Sequence, residues 1–385
     1  MQWTFGAVGD VFVDRPDPEH AFRHAADLLN ALDLVFGNCE GAYTDRPQFA
    51  PSANWRVVAP RRNGRGLAAA GFDVMACANN HMLDAGHAGL ADTLELLHGQ
   101  GIRTAGAGAS EAEAHAPLTV ELRGLKVGVL ALASVYLPGY EARKNVPGIA
   151  ALRVHSHYYI PDWDAYGRCE PGVVPQVRTI PFPEDMDRLA GTLRAMRAAH
   201  DVVIASFHWG NAGAPATISE YEFTVGRAAV DLGADIVLGH HHHALRGIEI
   251  YRGKPIFYGL GHFVFDLPGL EAALTPFEIE KLEAMGEHAI YPRAGFPLSP
   301  FPAECRCSMV ATVRFDGPRL VEAGYVPCLI DGANHAVPAA HDSDAGRQVA
   351  AYVEGVSAKA GLRSRYAPGT PVDGFGTIGV HADGS

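Results

Sequence analysis

Short apolar runs alternate with segments of helical periodicity along the first 240 residues of the chain. Residues 3–8, 34–36, 72–78, 125–132, 201–207 and 235–238 are predicted to be strands. Between them, apolar residues recur at helical spacing, as Leu90, Leu94 and Leu97 do. Strands that are apolar on both faces need helices on both sides of a sheet, so the alternation predicts a layered α/β domain.

The domain is predicted to extend over residues 1–330, with residues 331–385 forming a C-terminal helix and tail packed on it. Residues 134–183 and 266–308 are rich in proline and aromatic residues and are too long to be simple connections. We expect these two segments to be lid-like insertions that fold over the edge of the sheet.

Five of the predicted strands end in residue types that bind metals. The strand ends carry Asp10, Glu40, Asn80 with His81, His208, and the run His240, His241, His242 and His243. In an open α/β sheet, ligands gather outside the carboxyl ends of the strands, so residues from distant parts of the chain converge there. Carboxylates, an amide and imidazoles suit Mn, Fe or Zn. Because one ion does not need so many ligands, the pattern predicts two divalent ions bridged by a carboxylate.

Each of these elements also has a simpler interpretation. Gly9-Asp10 after a strand fits a turn, Asn80 with its neighbours fits an Asx turn, and His208 fits a buried core imidazole. A run of four histidines is harder to explain in this way, because crowded imidazoles repel when protonated and are costly to bury without partners. The joint pattern therefore favours a metal site.

Composition narrows the classes of partner. The formal net charge of −12 repels phosphate backbones and anionic lipids, which argues against nucleic-acid and membrane-surface binding. The six cysteines lack the spacing of a zinc site, and the chain shows neither a signal-peptide pattern nor a long apolar run. These features predict a cytoplasmic protein without a membrane anchor that acts on a small molecule or a peptide. The sequence indicates no oligomeric state.

The motifs resemble those of the CapA (poly-γ-glutamate capsule synthesis) family, which is itself similar to calcineurin-like metallophosphoesterases. The resemblance spans residues 4–266 and rests on Gly9-Asp10-Val11, Asn38-Cys39-Glu40, Ala78-Asn79-Asn80-His81, His208-Trp209-Gly210, the run from Gly239 to His243, and Gly259-Leu260-Gly261-His262-Phe263. It implies a four-layered α/β/β/α sandwich of the metallophosphoesterase type.

The resemblance also implies roles for individual residues. Asp10 would bind one metal, Glu40 would bridge both, and Asn80 and His208 would bind the second. His241 and His243 would supply one ligand to each metal, with His240 as an alternative because the register of the histidine run is ambiguous. His81 would be an acid that protonates the leaving group without binding metal.

Two positions depart from the family pattern. The phosphoesterases have a second metal ligand two residues after the aspartate, and this chain has Phe12 there. The CapA family usually has asparagine where this chain has His262. An imidazole can carry a proton, so His262 is a candidate catalytic base, although a conservative hydrogen-bonding replacement explains it equally simply.

The resulting function prediction is a dinuclear-metal-dependent hydrolase of a phosphoester or of an amide such as a γ-glutamyl bond. Arg15, His155 and His157 are predicted to hold an anionic group of the substrate. One alternative is a metal-dependent acid/base enzyme such as a peptide epimerase. Another is a non-catalytic partner in poly-γ-glutamate synthesis.

Overall fold

The computed structural model describes residues 1–53, 55–160, 174–212, 217–270, 274–284 and 289–383. Its strands are β1 (Gln2–Phe12), β2 (Leu34–Cys39), β3 (Ala42–Tyr43), β4 (Val58–Ala59), β5 (Val74–Ala76), β6 (Arg103–Ala105), β7 (Ala107–Gly108), β8 (Leu118–Leu122), β9 (Leu125–Ala133), β10 (Gly148–Ile149), β11 (Val154–Tyr159), β12 (Gln176–Pro181), β13 (Val202–His208), β14 (Ile236–His240), β15 (Ile248–Tyr251), β16 (Lys254–Phe257), β17 (His262–Phe265), β18 (Cys307–Asp316), β19 (Arg319–Ile330), β20 (Ala336–Pro338), β21 (Arg365–Pro368) and β22 (Ile378–His381). The α-helices are α1 (Ala26–Asn30), α2 (Arg65–Ala69), α3 (Gly86–Gly99), α4 (Glu111–Ala114), α5 (Pro183–Ala199), α6 (Glu220–Asp231), α7 (Pro276–Ala284) and α8 (Asp344–Lys359). Short 3₁₀ helices lie at Pro18–His20, Arg61–Gly64 and Ala303–Arg306.

Two large sheets are built from these strands. Within the described residues, the larger sheet runs in the order β21-β22-β19-β18-β1-β2-β5-β6, with β17 paired to β1 and β20 to β19. The smaller sheet runs in the order β15-β16-β14-β13-β9-β8. β1, β2, β5 and β6 are mutually parallel, and so are β9, β13 and β14. Each sheet therefore has one edge where several strand C-termini meet.

The two sheets pack face to face. Phe5 and Phe36 of the larger sheet share one buried apolar cluster with Val129 and Ile204 of the smaller sheet. The opposite face of the smaller sheet is covered by α5 and α6. The leucines of α1 and α2, with Leu90 and Leu97 of α3, are buried against the larger sheet. Every residue of β13 is buried, as expected for a strand covered on both faces. This layered arrangement confirms the predicted α/β sandwich.

Residues 331–385 contain strands in addition to the predicted helix and tail. β20, β21 and β22 all join the larger sheet, where β22 pairs with β19 through Gly324 and Tyr325. β18 pairs with one edge of β19 along almost its whole length, so β20 and β22 bond to the backbone groups of the opposite edge. Residues 331–385 thus extend the sheet as well as carrying α8.

The two segments predicted to be insertions contain their own elements. β11 and β12 form an antiparallel hairpin in the first, and residues 161–173 lie outside the described part of the chain. The second contains α7 and the 3₁₀ helix Ala303–Arg306. Their role as lids stays a prediction. Among the helices that the structure describes, none is long and apolar enough to cross a membrane.

Candidate metal centre

The predicted strand ends converge at one edge of the two sheets. His208 at the end of β13 is level with His240 at the end of β14, and Asp10 in β1 is level with Asn38 in β2. Both pairs lie on parallel strands, so their side chains reach the same end of the sandwich. Asp10, Glu40, His208 and His240 are all at most 1% exposed.

Asp10 is placed by an irregularity in β1. The register of β1 shifts on both sides of this residue, and its N–H donates to the Gly261 carbonyl at 3.0 Å. A Cβ on Gly9 would lie only 2.0 Å from that same carbonyl oxygen, so the close approach requires glycine. Asn38 Nδ2 donates to Asp10 Oδ1 at 2.8 Å and fixes the orientation of the carboxylate.

The first group of candidate ligands is Asp10, Glu40 and His243. Nδ1 of His243 lies 3.4 Å from Asp10 Oδ2, and Nε2 of the same ring lies 3.7 Å from Glu40 Oε1. Phe12 occupies the position where the phosphoesterases have a further ligand. Its ring is buried against Tyr43 and Phe265, at centroid distances of 5.6 and 5.8 Å.

The second group is Glu40, His208 and His241. Nε2 of His208 lies 3.6 Å from Glu40 Oε1 and 2.6 Å from Asn80 Oδ1. The rings of His208 and His241 are 4.9 Å apart. Glu40 belongs to both groups, which is the position expected of a bridging carboxylate.

Unpartnered atoms show whether these residues fit metal ions. Both carboxylate oxygens of Glu40 are buried without any hydrogen-bond partner, and so are Nδ1 of His241 and Nδ1 of His243. Leaving buried polar atoms unpaired costs about 1–3 kcal/mol each, so such a cluster needs an explanation. Two divalent cations would satisfy these atoms together, and the donor set of carboxylate, imidazole and amide suits Mn, Fe or Zn.

The electrostatics of the cluster also fit cations. Burial, with the nearby charge of Asp10, raises the pKa of Glu40 well above its usual value. Burial lowers the pKa of His241 to about 3 and holds that of His208 well below its usual value. Burial alone would raise the pKa of Asp10, but the imidazoles of His240 and His243 hold it well below the usual range. The imidazoles of His208, His241 and His243 are therefore neutral near pH 7, which is the form that binds metals.

The side chains of the histidine run point in two directions, some towards the carboxylates of the cluster and one towards Glu222. His241 and His243 have positive φ angles of 92° and 54°, which non-glycine residues rarely adopt. Their rings lie with the carboxylates, whereas His242 points away and contacts Glu222 Oε1 through Nε2 at 3.1 Å. His240 lies outside both ligand groups, with its Nδ1 3.6 Å from Asp10 Oδ1. The structure thus groups His241 and His243, rather than His240, with Glu40.

His81 lies next to the ligands and is held by a second carboxylate. Its Nδ1 is 2.8 Å from Asp84 Oδ2. Asp84 also accepts hydrogen bonds from the Tyr140 hydroxyl at 2.7 Å and from the Val57 N–H at 2.8 Å. His81 contributes to the lowered pKa of both His241 and His243, so its ring is near each of them. Because Nδ1 donates to Asp84, Nε2 is the nitrogen left to exchange a proton.

His262 is buried on the Asp10 side of the cluster. It is level with Asp10 in the pairing of β17 with β1, and its Nδ1 is 3.0 Å from the His243 carbonyl oxygen. A carbonyl can only accept, so Nδ1 carries the proton and Nε2 has the lone pair. Nε2 is buried without a partner, and burial lowers the pKa of His262 to about 4.

The three residues predicted to bind substrate lie outside the cluster. Arg15 donates to both carboxylate oxygens of Asp266, from Nε at 2.8 Å and from Nη2 at 2.5 Å, and also to the Asn334 carbonyl. Its guanidinium is thus engaged in a buried ion pair that ties β1 to the end of β17. His155 and His157 lie on the exposed strand β11, where the His155 ring stacks on Phe182 at 3.8 Å. For all three residues, substrate binding stays a prediction.

Asp14, next to Arg15, supplies a test of the electrostatics around this ion pair. Burial and the negative charge of Asp266 raise the pKa of Asp14 to about 6. When folding raises the pKa of a carboxyl group, the protonated group contributes fully to the stability of the folded state below the pKa that it has in the unfolded chain. That contribution is lost as the pH rises through the pKa that it has in the folded protein. Asp14→Asn keeps an acceptor for Asn63 Nδ2 and removes the charge. We expect it to raise the free energy of unfolding by about 1–2 kcal/mol at pH 7–8, after allowance for solvent screening, and to have little effect near pH 4.

Urea denaturation at the two pH values measures this difference. Asp17→Asn is the matched control, because Asp17 is 68% exposed and forms an exposed pair with His20. An Asp14→Asn effect of equal size at both pH values would contradict the assignment.

Several residues of the site were not assigned a role from the sequence. Asp84 follows His81 by three residues, a spacing at which a carboxylate reaches an imidazole, so the sequence carries a signal for this pair. Asn38 was likewise visible beside Glu40. Tyr140 and Glu222 were not, because they lie in distant segments and only the fold brings them to Asp84 and His242.

Comparison with known proteins places the chain in a family. The family model for the bacterial capsule synthesis protein PGA_cap matches residues 4–267. An uncharacterized protein of Sinorhizobium fredii is 32% identical over 315 residues, which cover 69% of this chain and 66% of that protein. The PGA biosynthesis protein CapA of Bacillus subtilis is 26% identical over 71% of this chain and 67% of its own length. A probable polyglutamine synthesis accessory protein of Mycobacterium tuberculosis is 33% identical over 62% of this chain and 57% of its own length.

Among solved structures, a hypothetical protein from Thermus thermophilus is similar, with a TM-score of 0.45 and 16% sequence identity. That similarity covers 84% of this chain and 98% of the other. The family match covers well over half of the chain and all the residues of the candidate metal centre. The chain therefore belongs to the CapA (PGA_cap) family of bacterial capsule synthesis proteins, which confirms the resemblance of its motifs.

Proposed function

We propose that this protein is a dinuclear-metal-dependent hydrolase that acts on a phosphoester or on an amide such as a γ-glutamyl bond. One observation carries the proposal. Glu40 is shared by two three-residue ligand groups, and both of its buried carboxylate oxygens lack hydrogen-bond partners. Asp10 and His243 would complete one metal site, and His208, His241 and Asn80 would complete the other.

The protein's own residues would orient the reaction. Two divalent cations bound there would polarise the scissile bond and supply an acidified water. Asp84 holds the His81 ring through Nδ1, so protonated Nε2 is in position to give a proton to a leaving group. Asn38 keeps the Asp10 carboxylate oriented, and the pair of His242 with Glu222 anchors the turn that presents His241 and His243.

The substrate class is inferred from the chemistry of the site and from the names of the relatives. Cations at the strand ends favour a substrate with an anionic or polarisable oxygen, and phosphoesters and γ-glutamyl amides both provide one. One relative is named a PGA biosynthesis protein and another a capsule biosynthesis protein, which makes a γ-glutamyl compound one of the first substrates to test.

A second candidate is a metal-dependent acid/base enzyme such as a peptide epimerase, and His262 is the residue that favours it. The His243 carbonyl fixes the tautomer of His262, so a buried Nε2 lone pair remains without a partner next to the cluster. Asparagine at that position has no ring nitrogen to act as a base. An unpaired base beside polarising cations suits removal and return of a proton at carbon.

The proposal is tested by elemental analysis and product analysis of the same preparation. We expect close to two transition-metal ions per chain, and we expect activity that is lost on chelation and restored by Mn²⁺, Fe²⁺ or Zn²⁺. His208→Ala should lower both metal content and activity. His98→Ala is the matched control, because His98 is exposed and contacts Thr104.

Three substrates separate the candidate functions: p-nitrophenyl phosphate, poly-γ-glutamate and short peptides, each followed by mass spectrometry and chiral amino-acid analysis. A change in mass supports hydrolysis, whereas a change in stereochemistry at constant mass supports epimerisation. If His262→Asn loses turnover at full metal occupancy, the acid/base interpretation is favoured over simple hydrolysis. Full metal content without turnover of any substrate would overturn both interpretations and favour an accessory role.

A further inference from the structure

A second cluster of metal-binding side chains lies apart from the candidate metal centre. His24, Asp331 and His335 each offer one ligand atom, and the three atoms lie within 4.8 Å of one another. His24 precedes α1, and the other two residues lie in the turn between β19 and β20. Segments more than 300 residues apart in sequence thus present two imidazoles and a carboxylate to the same point.

The turn that carries two of these residues is rigid. Asp331 Oδ1 accepts from the N–H groups of Ala333 and His335, at 2.9 and 2.8 Å. Asn334, between them, is fully buried and donates to Asp266 Oδ1 and to the Phe265 carbonyl at 2.8 Å. Asp331 Oδ2 is left facing His335 Nδ1 at 3.2 Å. The turn therefore holds a carboxylate oxygen and a ring nitrogen in fixed positions.

The spacing of these two atoms suits a tetrahedral ion. Ligand atoms bound to Zn²⁺ at about 2.0–2.1 Å lie about 3.3 Å apart in a tetrahedral site. The pair of Asp331 and His335 already has that separation. His24 is exposed, so its side chain can change rotamer to close the third position, and water would fill the fourth.

Arg23 competes with an ion for His24. Its Nε donates to His24 Nε2 at 3.2 Å, and Arg15 and Arg23 both lie near enough to His335 to influence its charge. Arg15 is held in its ion pair with Asp266, whereas Arg23 is hydrogen-bonded to a candidate ligand itself. An ion here must displace the hydrogen bond from Arg23, so binding is expected to be weaker than at the candidate metal centre.

We propose that His24, Asp331 and His335 form a third, peripheral site for a borderline divalent cation such as Zn²⁺. An ion bound there would join the segment after β1 to the turn that buttresses the Arg15–Asp266 ion pair. Its expected role is to stabilise the fold, because it lies on a different set of residues from the Glu40 cluster. The inference does not depend on the proposed hydrolase activity.

The test is the number of Zn²⁺ ions bound by the full chain, measured by equilibrium dialysis and isothermal titration with ZnCl₂. His24→Ala is expected to bind one ion fewer per chain than the unmodified protein and to lose the corresponding Zn²⁺-dependent rise in Tm. Asp331→Asn keeps an acceptor for the turn N–H groups and should weaken this class of site. His20→Ala is the matched control, because His20 is exposed on the same segment and pairs only with Asp17 among the described contacts.

Arg23→Gln gives a result of opposite sign. Removal of the competing donor and its charge should tighten the weakest Zn²⁺ site roughly threefold or more. Equal stoichiometry in His24→Ala and the unmodified protein would overturn the proposal, and so would an equal loss in His20→Ala. The test compares the number of ions bound by each variant with the number bound by the unmodified protein. Its result therefore does not depend on whether the Glu40 cluster binds two ions or whether the protein turns over any substrate.

Discussion

Glu40→Gln is expected to abolish turnover, with a loss of about 10³-fold or more, and to reduce the metal content from near two ions per chain to one or fewer. Glutamine keeps the shape of the side chain and removes the charge that both ligand groups share. A bridging carboxylate offsets the repulsion between two dications, so its loss affects both sites at once. Elemental analysis and a steady-state assay of the same preparation measure the two effects.

The same substitution has an opposite effect on the metal-free protein. Burial and the charge of Asp10 raise the pKa of Glu40, so ionised Glu40 is unfavourable without cations. As the pH rises and Glu40 ionises, the metal-free folded state becomes less stable. Glutamine cannot ionise, so the substitution removes this destabilisation. The metal-free variant should therefore melt above the metal-free parent, and the metal-loaded variant below the metal-loaded parent. Glu249→Gln, which breaks an ion pair with Arg227 in another part of the molecule, should show no such reversal.

His81→Ala is expected to keep its full metal content and to lose a factor of about 10²–10⁴ in rate, the usual contribution of general acid–base catalysis. The loss should be smaller for a substrate with a good leaving group, because such a group needs no proton. Asp84→Asn should produce a milder defect of the same kind, since Asp84 orients the ring that carries the proton.

His87→Ala is the control for this series, because His87 is exposed on α3. Equal rate losses with good and poor leaving groups would argue against proton donation by His81. A fall in metal content in His81→Ala would instead make His81 a ligand.

The convergence of Asp10, Glu40, Asn80 and His208 could be predicted, because parallel strands in a layered α/β domain place their C-terminal ends at one edge. The alternation of elements also predicted a layered α/β domain, and the resemblance to the CapA family implied the four-layered sandwich. In both cases local patterns determine where a residue lies, since strand direction and burial follow from periodicity and apolar content.

Other features depend on contacts that no local pattern reveals. The choice of His241 and His243 within the histidine run follows from their positive φ angles, which turn two rings towards Glu40 and leave His242 with Glu222. Arg15 was predicted to hold an anionic group of the substrate, because a guanidinium pairs well with carboxylates and phosphates. In the structure it meets Asp266, 251 residues away, and the sequence contains no signal for that pairing. The strands β20 to β22 were missed because β20 and β22 pair with the edge of β19 opposite β18, and β21 pairs in turn with β22, an order of strands that no local pattern reveals.

The candidate ligands are divided between the two sheets, and this division affects how the protein unfolds. Asp10 in β1 and Glu40 just after β2 belong to the larger sheet, whereas His208 at the end of β13 and His241 and His243 after β14 belong to the smaller one. Ions bound by ligands from both sheets would be held fully only while the two sheets are packed together. Ion occupancy and sheet docking are then thermodynamically linked, and each favours the other. Chelation should consequently do more than stop a reaction: the apolar cluster would still hold the two sheets together, but their coupling should weaken and their unfolding should become less cooperative.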